Sequence, residues 1–443
     1  MNIFALSTGR GPSGIAILRL SGKDSLQISK LITKKNDIKS KEVNVCKFYN
    51  PSNDEMIDEG LLLWSPGPNS YTGEDLAEFH THGSNAVVGY FLKVLGEQEN
   101  CRLAEPGEFT KLAFQNNKMD LLEAESIGDL IHSETELQRQ QAIKLIQGKA
   151  SNYYNSLREK LIKSLSYIEA KIDFAEDDLP ENVLNEVKIS IKQVHKDIKK
   201  ILEDQKIGEK IRDGFRISIV GDVNAGKSSL LNLLSKKEAA IVSEQEGTTR
   251  DVIETYLNID GYPVILADTA GIRKGKNKIE KEGIKRAIKK SKNSDLTLIM
   301  LDASKKTINK SIIKLVNEDC VLIFNKSDLN KKIPKNKYSK KNQILISVKK
   351  NNNIDELIEI IKNKLSKKIM KSDNILISRE RHRAKLNSAL KEIEKFLKKD
   401  QSKEIETAAE DLRLATRHLG SIVGKVDVEE ILGAIFQDFC IGK

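Results

Sequence analysis

The sequence predicts a multidomain α/β plus α chain: an N-terminal α/β domain, a central helical bundle, and a doubly wound domain inserted into that bundle. Three changes of texture carry this reading. Up to about Ala113, short apolar runs are broken by Gly, Pro and Ser clusters. From Asp120 to about Lys206 the pattern is helical, and it returns from about Arg379 onward. Between those two blocks, from about Arg216 to Leu365, short apolar strands alternate with helices. The predicted boundaries are 1–115, 116–210, 211–368 and 369–443, the second and fourth segments being two halves of one bundle.

Each segment has a local reason. Ile15–Leu20, Leu61–Trp64 and Ala86–Leu95 are apolar runs bounded by turn formers, which suits a mixed first domain. LLEAESIGDLI and LREKLIKSLSYIEAKI space their apolar residues at three and four, as do LNSALKEIEKFL and VEEILGAIF near the other end. Amphipathic helices bury their stripes on one another, so blocks far apart in sequence can share a bundle. In the inserted segment the predicted strands are Ile217–Val220, Val264–Ala267, Leu296–Leu301, Val321–Phe324 and Ile344–Ser347. Strands alternating with helices imply a mostly parallel sheet, with ligands at the loops that follow the strand ends.

Composition narrows the class. The 443 residues are 39% hydrophobic and 31% charged, an ordinary globular balance. No apolar run is long enough to span a bilayer. MNIFALSTGRG lacks the charged start and apolar core of a secretory signal. A cytoplasmic protein with no membrane contact is expected. The net charge of +10 permits nucleic-acid contact, but much of it comes from lysine spread along the whole chain, which also reads as a solvated surface. Cys46, Cys101, Cys320 and Cys440 form no CxxC pair, so neither a zinc site nor a disulfide framework is indicated.

The chemistry concentrates in the inserted segment. Gly221–Ser229, GDVNAGKSS, fits G-x-x-x-x-G-K-[ST] between a strand and a helix. Asn224, Ala225 and Gly226 supply loop backbone for phosphates, Lys227 reaches the β- and γ-phosphates, Ser228 holds magnesium, and Ser229 completes the GTP-binding loop. DTAG at Asp268, Thr269, Ala270 and Gly271 ends the next apolar strand; its acid suits the magnesium shell and its last amide a γ-phosphate. NKSD at Asn325–Asp328 offers Lys326 and a carboxylate, Asp328, that accepts from both guanine N1–H and the exocyclic amine. Adenine has no such donor pair. Ser347, Val348 and Lys349 of ISVK place a backbone amide for the guanine oxygen. GTTRD at Gly247–Asp251 occupies the switch position, with Thr249 as a second magnesium ligand. Five elements in this order specify a Ras-like P-loop domain that binds GTP.

Two positions depart from the Ras pattern. Where Ras-like proteins place a water-orienting glutamine, this chain has Ile272, which cannot polarise water. Glu280 and Glu282 are nearby acids, and they also fit an exposed helix start. Asn224 offers an amide oxygen to a monovalent cation beside the phosphates, and it also fits ordinary turn chemistry.

Taken together, NAGKSS, GTTRD, DTAGIR, NKSD, the insertion in a helical bundle and the terminal CIGK resemble the MnmE/TrmE tRNA-modifying GTPases over essentially the whole chain. CIGK is the most specific of these marks. The resemblance implies a homodimer with a folate-binding N-terminal domain. It also implies a flavin partner, an MnmG/GidA-type FAD protein, in a heterotetramer or larger complex. Their joint product would be an aminomethyl- or carboxymethylaminomethyl-type group at carbon 5 of the wobble uridine of certain tRNAs. The one-carbon source would be 5-formyl- or methylene-tetrahydrofolate.

By the same resemblance, potassium would sit among Asn224, Ser243, Gln245 and Thr248 in place of an arginine finger, and Glu280 would position the water. Folate would be held by Arg19, Glu78, Lys118 and Lys443. Arginine and lysine suit its glutamate tail, and a carboxylate suits the pterin's donor edge. Cys440 would be a functional thiol near the one-carbon group, the alternative being a helix cysteine that merely packs. The competing reading is a ribosome-assembly GTPase that binds RNA without base chemistry; it calls for an appended RNA-binding domain, which the sequence does not suggest. A dynamin-like membrane GTPase ranks last, because the helices read as core.

Overall fold

The structure is a computed structural model that describes residues 1–173, 183–222, 224–237, 240–241, 254–267, 294–305, 316–330, 332–333, 342–370, 376–400, 403–426, 429–437 and 439–442. The chain begins β1 (Asn2–Leu6), β2 (Ser13–Ser21), α1 (Ser25–Thr33), β3 (Val43–Tyr49), β4 (Met56–Ser65), β5 (Leu76–Gly83), α2 (Asn85–Gly96), β6 (Cys101–Leu103), α3 (Glu108–Gln115) and α4 (Leu121–Ile131). Helices α5 (Glu136–Ile146), α6 (Lys149–Asp173), α7 (Val183–Leu202) and α8 (Ile207–Asp213) follow. Next come β7 (Phe215–Gly221), α9 (Lys227–Lys237), β8 (Ala240–Ile241), β9 (Glu254–Ile259), β10 (Tyr262–Ala267), β11 (Leu296–Asp302), β12 (Cys320–Asn325) and β13 (Gln343–Leu345). The last elements are α10 (Ile354–Ile369), α11 (Glu380–Lys398), α12 (Ile405–Val423) and α13 (Glu429–Gln437). Contacts divide the chain into two units.

The first unit is Met1–Gly128, Leu145–Ala170 and Ala409–Lys443. Its sheet runs β3-β4-β5-β2-β1-β6, antiparallel except for the β1–β6 pair. One face packs on α1 and α2 through Leu18, Leu20, Ile28, Ile32, Phe91 and Leu95. Phe48, Phe79 and Phe91 meet there with ring centroids 5.1 to 5.8 Å apart, edge-on or tilted, as aromatic quadrupoles prefer. The opposite face meets Phe109 of α3 and the loop residue Tyr71 through Ile3, Ala5 and Leu76. α4 receives α13 and the residues after it: Leu121 and Ala124 pack with Leu432, Ile435, Phe436 and Phe439. Gly128 keeps that seat open, since a Cβ there would lie 2.9 Å from the Phe439 ring. α6 and α12 are joined by an ion pair, Arg413 Nη2 to Glu169 Oε1 at 2.6 Å.

The second unit is Asp129–Lys144 and Lys171–Ala408. Its sheet runs β13-β12-β11-β7-β10-β9-β8; the first five strands are parallel, and β9 runs antiparallel to both of its neighbours, β10 and β8. β11 and β12 are buried along their whole lengths, the signature of a parallel sheet covered on both faces. α8, α9 and α10 cover one face with Ile211, Leu230, Leu234, Leu357 and Ile361. α7 buries Val187, Ile191, Val194 and Ile198 at helical spacing, and it packs on α11. Helices from the two sequence blocks therefore pair within each unit: α6 with α12, and α7 with α11.

The start of α5 is tied to the β9–β10 hairpin. Leu137 N donates to Gly261 O at 3.3 Å, and Asn258 Nδ2 donates to Glu134 O at 3.2 Å. Asp129 Oδ1 accepts from Arg212 Nε at 2.9 Å and from Arg379 Nη2 at 2.7 Å. One carboxylate thus joins the segments that lead into and out of the sheet.

Candidate functional site

The central feature of the second unit is the loop between β7 and α9. β7 ends at Gly221, whose close approach to β11 leaves no room for a side chain: a Cβ would lie 2.0 Å from Met300 O. α9 begins at Lys227. Between them Asn224 (φ +62) and Gly226 (φ +101) both adopt left-handed backbone, which folds the loop into a concave row of amides. Ala225 is buried beneath it, and Asn224, Ser228 and Ser229 are exposed. Lys227 Nζ donates to Gly221 O at 2.9 Å and to Asp222 O at 2.7 Å, so its ammonium closes over the loop.

Asn325, at the end of β12, ties this loop to the segment after β13. Its Nδ2 donates to Ala225 O at 2.8 Å, and its Oδ1 accepts from Val348 N at 3.1 Å. Asp328 Oδ1 accepts from Ser347 Oγ at 2.6 Å, and Ser347 is fully buried. That hydrogen bond, helped by Lys349 and Lys350, holds the Asp328 carboxyl below its usual range. The Asp328 carboxylate is thus tied to the segment after β13 through Ser347, and the Val348 amide to the end of β12 through Asn325. GDVNAGKSS, NKSD and ISVK thus gather at the ends of β7, β12 and β13, the ligand edge of such a sheet. Ser243, Gln245, Thr248, Thr249, Asp268, Thr269, Ala270, Gly271 and Glu280 lie outside the described residues.

The first unit holds a second cluster. Arg19 on β2 and Glu78 on β5 are cross-strand partners, joined by Nε–Oε1 at 2.9 Å and Nη2–Oε1 at 2.6 Å. The guanidinium lies over Tyr71 and Phe109, 5.1 and 5.6 Å from their ring centres. Burial pushes the Tyr71 hydroxyl above its ordinary range. The resemblance implies that Arg19 and Glu78 hold a folate; in the structure each is the other's partner. Lys118 Nζ donates to Pro68 O at 2.8 Å and stays exposed.

The tail reaches this cluster. Gly107 N donates to Cys440 O at 3.4 Å, and Ile441 bridges to Pro106. Gly442 O accepts from Ser7 Oγ at 2.9 Å and lies 3.5 Å from Arg19 Nη1. Gly442 has φ +96, and a Cβ there would sit 2.2 Å from Leu6 O. No residue with a side chain fits. Cys440 is exposed beside this strap, and Lys443 lies outside the described residues. Sequence reasoning missed Ser7 and Tyr71, because only strand register and the tail's return bring them to Arg19.

Residues 2–118 match the family described as the GTP-binding protein TrmE N-terminus, and residues 121–440 match the MnmE helical domain. The chain belongs to the MnmE/TrmE family. It is 56% identical over its full length to the tRNA modification GTPase MnmE of Pelagibacter ubique, covering 100% of both chains. With that of Rickettsia bellii the identity is 42%, covering 100% of this chain and 99% of the relative. The solved G domain of the Thermotoga maritima iron transporter FeoB matches 35% of this chain and 98% of its own at 21% identity, with a TM-score of 0.24, and adds nothing to the assignment. Like its MnmE relatives, the chain is a tRNA modification GTPase with an α/β N-terminal domain, a helical domain and a P-loop GTPase fold. Among the described residues no helix is long and apolar enough to cross a membrane.

Proposed function

We propose that this chain is a potassium-dependent GTPase. With a flavin-containing partner it modifies carbon 5 of the wobble uridine of certain tRNAs, drawing a one-carbon unit from a tetrahydrofolate. The observation that carries the folate side is the strap: residues 440–442 return to Ser7 and Arg19, beside the Arg19–Glu78 pair. Arg19, Glu78, Lys118 and Lys443 would hold the folate, and the exposed Cys440 thiol would face its one-carbon group. The chain works as a homodimer with an MnmG/GidA-type protein, in the cytoplasm.

In the nucleotide site the left-handed turn at Asn224 and Gly226 aims amides at phosphate, and the Ser228 hydroxyl stands free at the helix start. These groups fit a triphosphate with magnesium, held by Ser228 and Thr249 next to Asp268. Magnesium neutralises charge on the phosphate oxygens when bound. Lys227 exchanges its two loop carbonyls for phosphate oxygens. Asn224 presents an exposed amide to a monovalent cation shared with Ser243, Gln245 and Thr248, which supplies the positive charge that an arginine finger supplies elsewhere. Glu280 orients the water that Ile272 cannot.

The test is mass spectrometry of tRNA nucleosides from a deletion strain that retains the flavin partner, rescued by the full chain or by one lacking residues 440–443. The full chain restores the modified wobble uridine and the truncation does not. If the full chain restores nothing, the tRNA reading gives way to RNA binding without base chemistry. GTP turnover is expected to be faster in potassium than in sodium; equal rates would remove Asn224 from its role.

A further inference from the structure

We propose that Ser7 is a positioning residue for the tRNA modification: its hydroxyl fastens the C-terminal strap and so sets where the Cys440 thiol lies. The proposal rests on the reading of Cys440 as a functional thiol. The apolar anchor of the tail stops short of that thiol. Phe436 and Phe439 pack on α4 and are 3% and 6% exposed. Beyond them Cys440 and Ile441 are exposed, so among the described residues no buried side chain holds the tail after Phe439. Backbone carbonyls hold it instead. Gly107 N donates to Cys440 O at 3.4 Å and Arg19 Nη1 to Gly442 O at 3.5 Å, both at the outer limit of a hydrogen bond. Ser7 Oγ donates to the same Gly442 O at 2.9 Å, the one tie of ordinary length among the three.

Ser7 directly follows β1, and the sheet fixes its backbone. Ser7 N donates to Ile17 O at 2.8 Å, and Ile17 N donates to Thr8 Oγ1 at 3.3 Å. With that backbone pinned, one staggered side-chain torsion sets the direction of the hydroxyl. The tail rests directly on the chain there. A Cβ on Gly442 would lie 2.2 Å from Leu6 O and 2.9 Å from Ser7 Cα, so only bare backbone comes this close, within reach of a short serine side chain. Cys440 lies two residues before the held carbonyl, and its own carbonyl has the long bond from Gly107. Fixing Gly442 O therefore removes most of the freedom left to the backbone that carries the thiol. A role in stability explains the hydroxyl poorly. The strand end is paired through Ser7 N and Thr8 Oγ1 without it, and α13 is seated by apolar packing that ends at Phe439. What the hydroxyl adds is the placement of the residues beyond that anchor.

The test combines three readouts on the full chain: the rate at which iodoacetamide alkylates Cys440, followed by mass spectrometry of the C-terminal peptide; wobble-uridine modification in a deletion strain that retains the flavin partner; and GTP turnover. Ser7→Ala is expected to speed alkylation and to lower modification, each about fivefold for loss of one neutral hydrogen bond, with GTP turnover within about twofold. Ser7→Thr keeps the hydroxyl and is expected to restore both. Unchanged alkylation in Ser7→Ala, or faster alkylation with normal modification, overturns the proposal. So does a Ser7→Thr chain that behaves like Ser7→Ala. If Ser7→Ala does not fold, a chain ending at Ile441 is read instead, since it keeps Ser7 and lacks the accepting carbonyl. Several-fold faster alkylation of its Cys440 then supports the proposal, and an unchanged rate overturns it. Cys440→Ser is the separate check on the thiol. Normal modification in that variant places the fault in the reading of Cys440; lost modification there, beside a Ser7→Ala chain that modifies normally, places it in the role given to Ser7.

Discussion

At Gly226 a single hydrogen atom decides whether two loops can meet. A Cβ there would lie 2.5 Å from Asn325 Nδ2, and φ +101 is strained for any residue with a side chain. Gly226→Ala is therefore expected to push the phosphate loop away from Asn325 and to weaken GDP binding about tenfold or more. Displacement titration checks this; unchanged affinity would mean that the two loops move independently. The phosphate loop is the part of the site most legible in the sequence, because its chemistry is local: glycines, a lysine and a hydroxyl within nine positions. Arg19 and Glu78 are legible only as charged residues on two strands. Their partnership depends on a register joining positions 59 apart, and nothing short-range encodes it. Asp302 shows the same blind spot: an acid after an apolar run reads as a strand end until Lys326, 24 positions on, is seen beside it.

Among the elements, the β9–β10 hairpin has the most consequential position. β9 begins directly after GTTRD and its neighbours, and β10 ends directly before DTAG, while the hairpin tip holds Leu137 and Glu134 at the start of α5. The strand pair between GTTRD and DTAG is thus tied to a helix from the first helical block. Helical periodicity reveals that α5 is a helix but not what it packs on, since its polar contacts are made through backbone carbonyls. Asp129 completes the same junction. Its side chain is 15% exposed and accepts from two arginines, so Asp129→Ala leaves two guanidinium groups short of a partner. The expected cost is about 2 kcal/mol, from charge-assisted hydrogen bonds that are partly open to water. Urea unfolding of the full chain checks it, and a midpoint unchanged from the unaltered protein would show that the junction does not depend on this carboxylate.

For the whole molecule, the discontinuity of the helical pattern was the informative signal. An uninterrupted sheet domain between two helical blocks reads as an insertion, and the pairing of α6 with α12 and of α7 with α11 accounts for helices so far apart in sequence. What the pattern does not carry is the tail's destination. Gly442→Ala is expected to unseat the strap while leaving GTP turnover within about twofold, since an alanine at positive φ costs roughly 1–2 kcal/mol even before the clash with Leu6. Nucleoside analysis and phosphate release, run on the same variant, separate the two effects; normal wobble modification would show that the strap is dispensable.

The strap also has a consequence in time. Ser7 and Gly442, which it joins, are 435 positions apart. At about 5–20 residues per second, a ribosome needs roughly 22–87 s to make the second after the first. Throughout that interval the N-terminal sheet stands with its seat for the tail exposed. The first unit therefore stays without its strap until the whole of the second unit has been made.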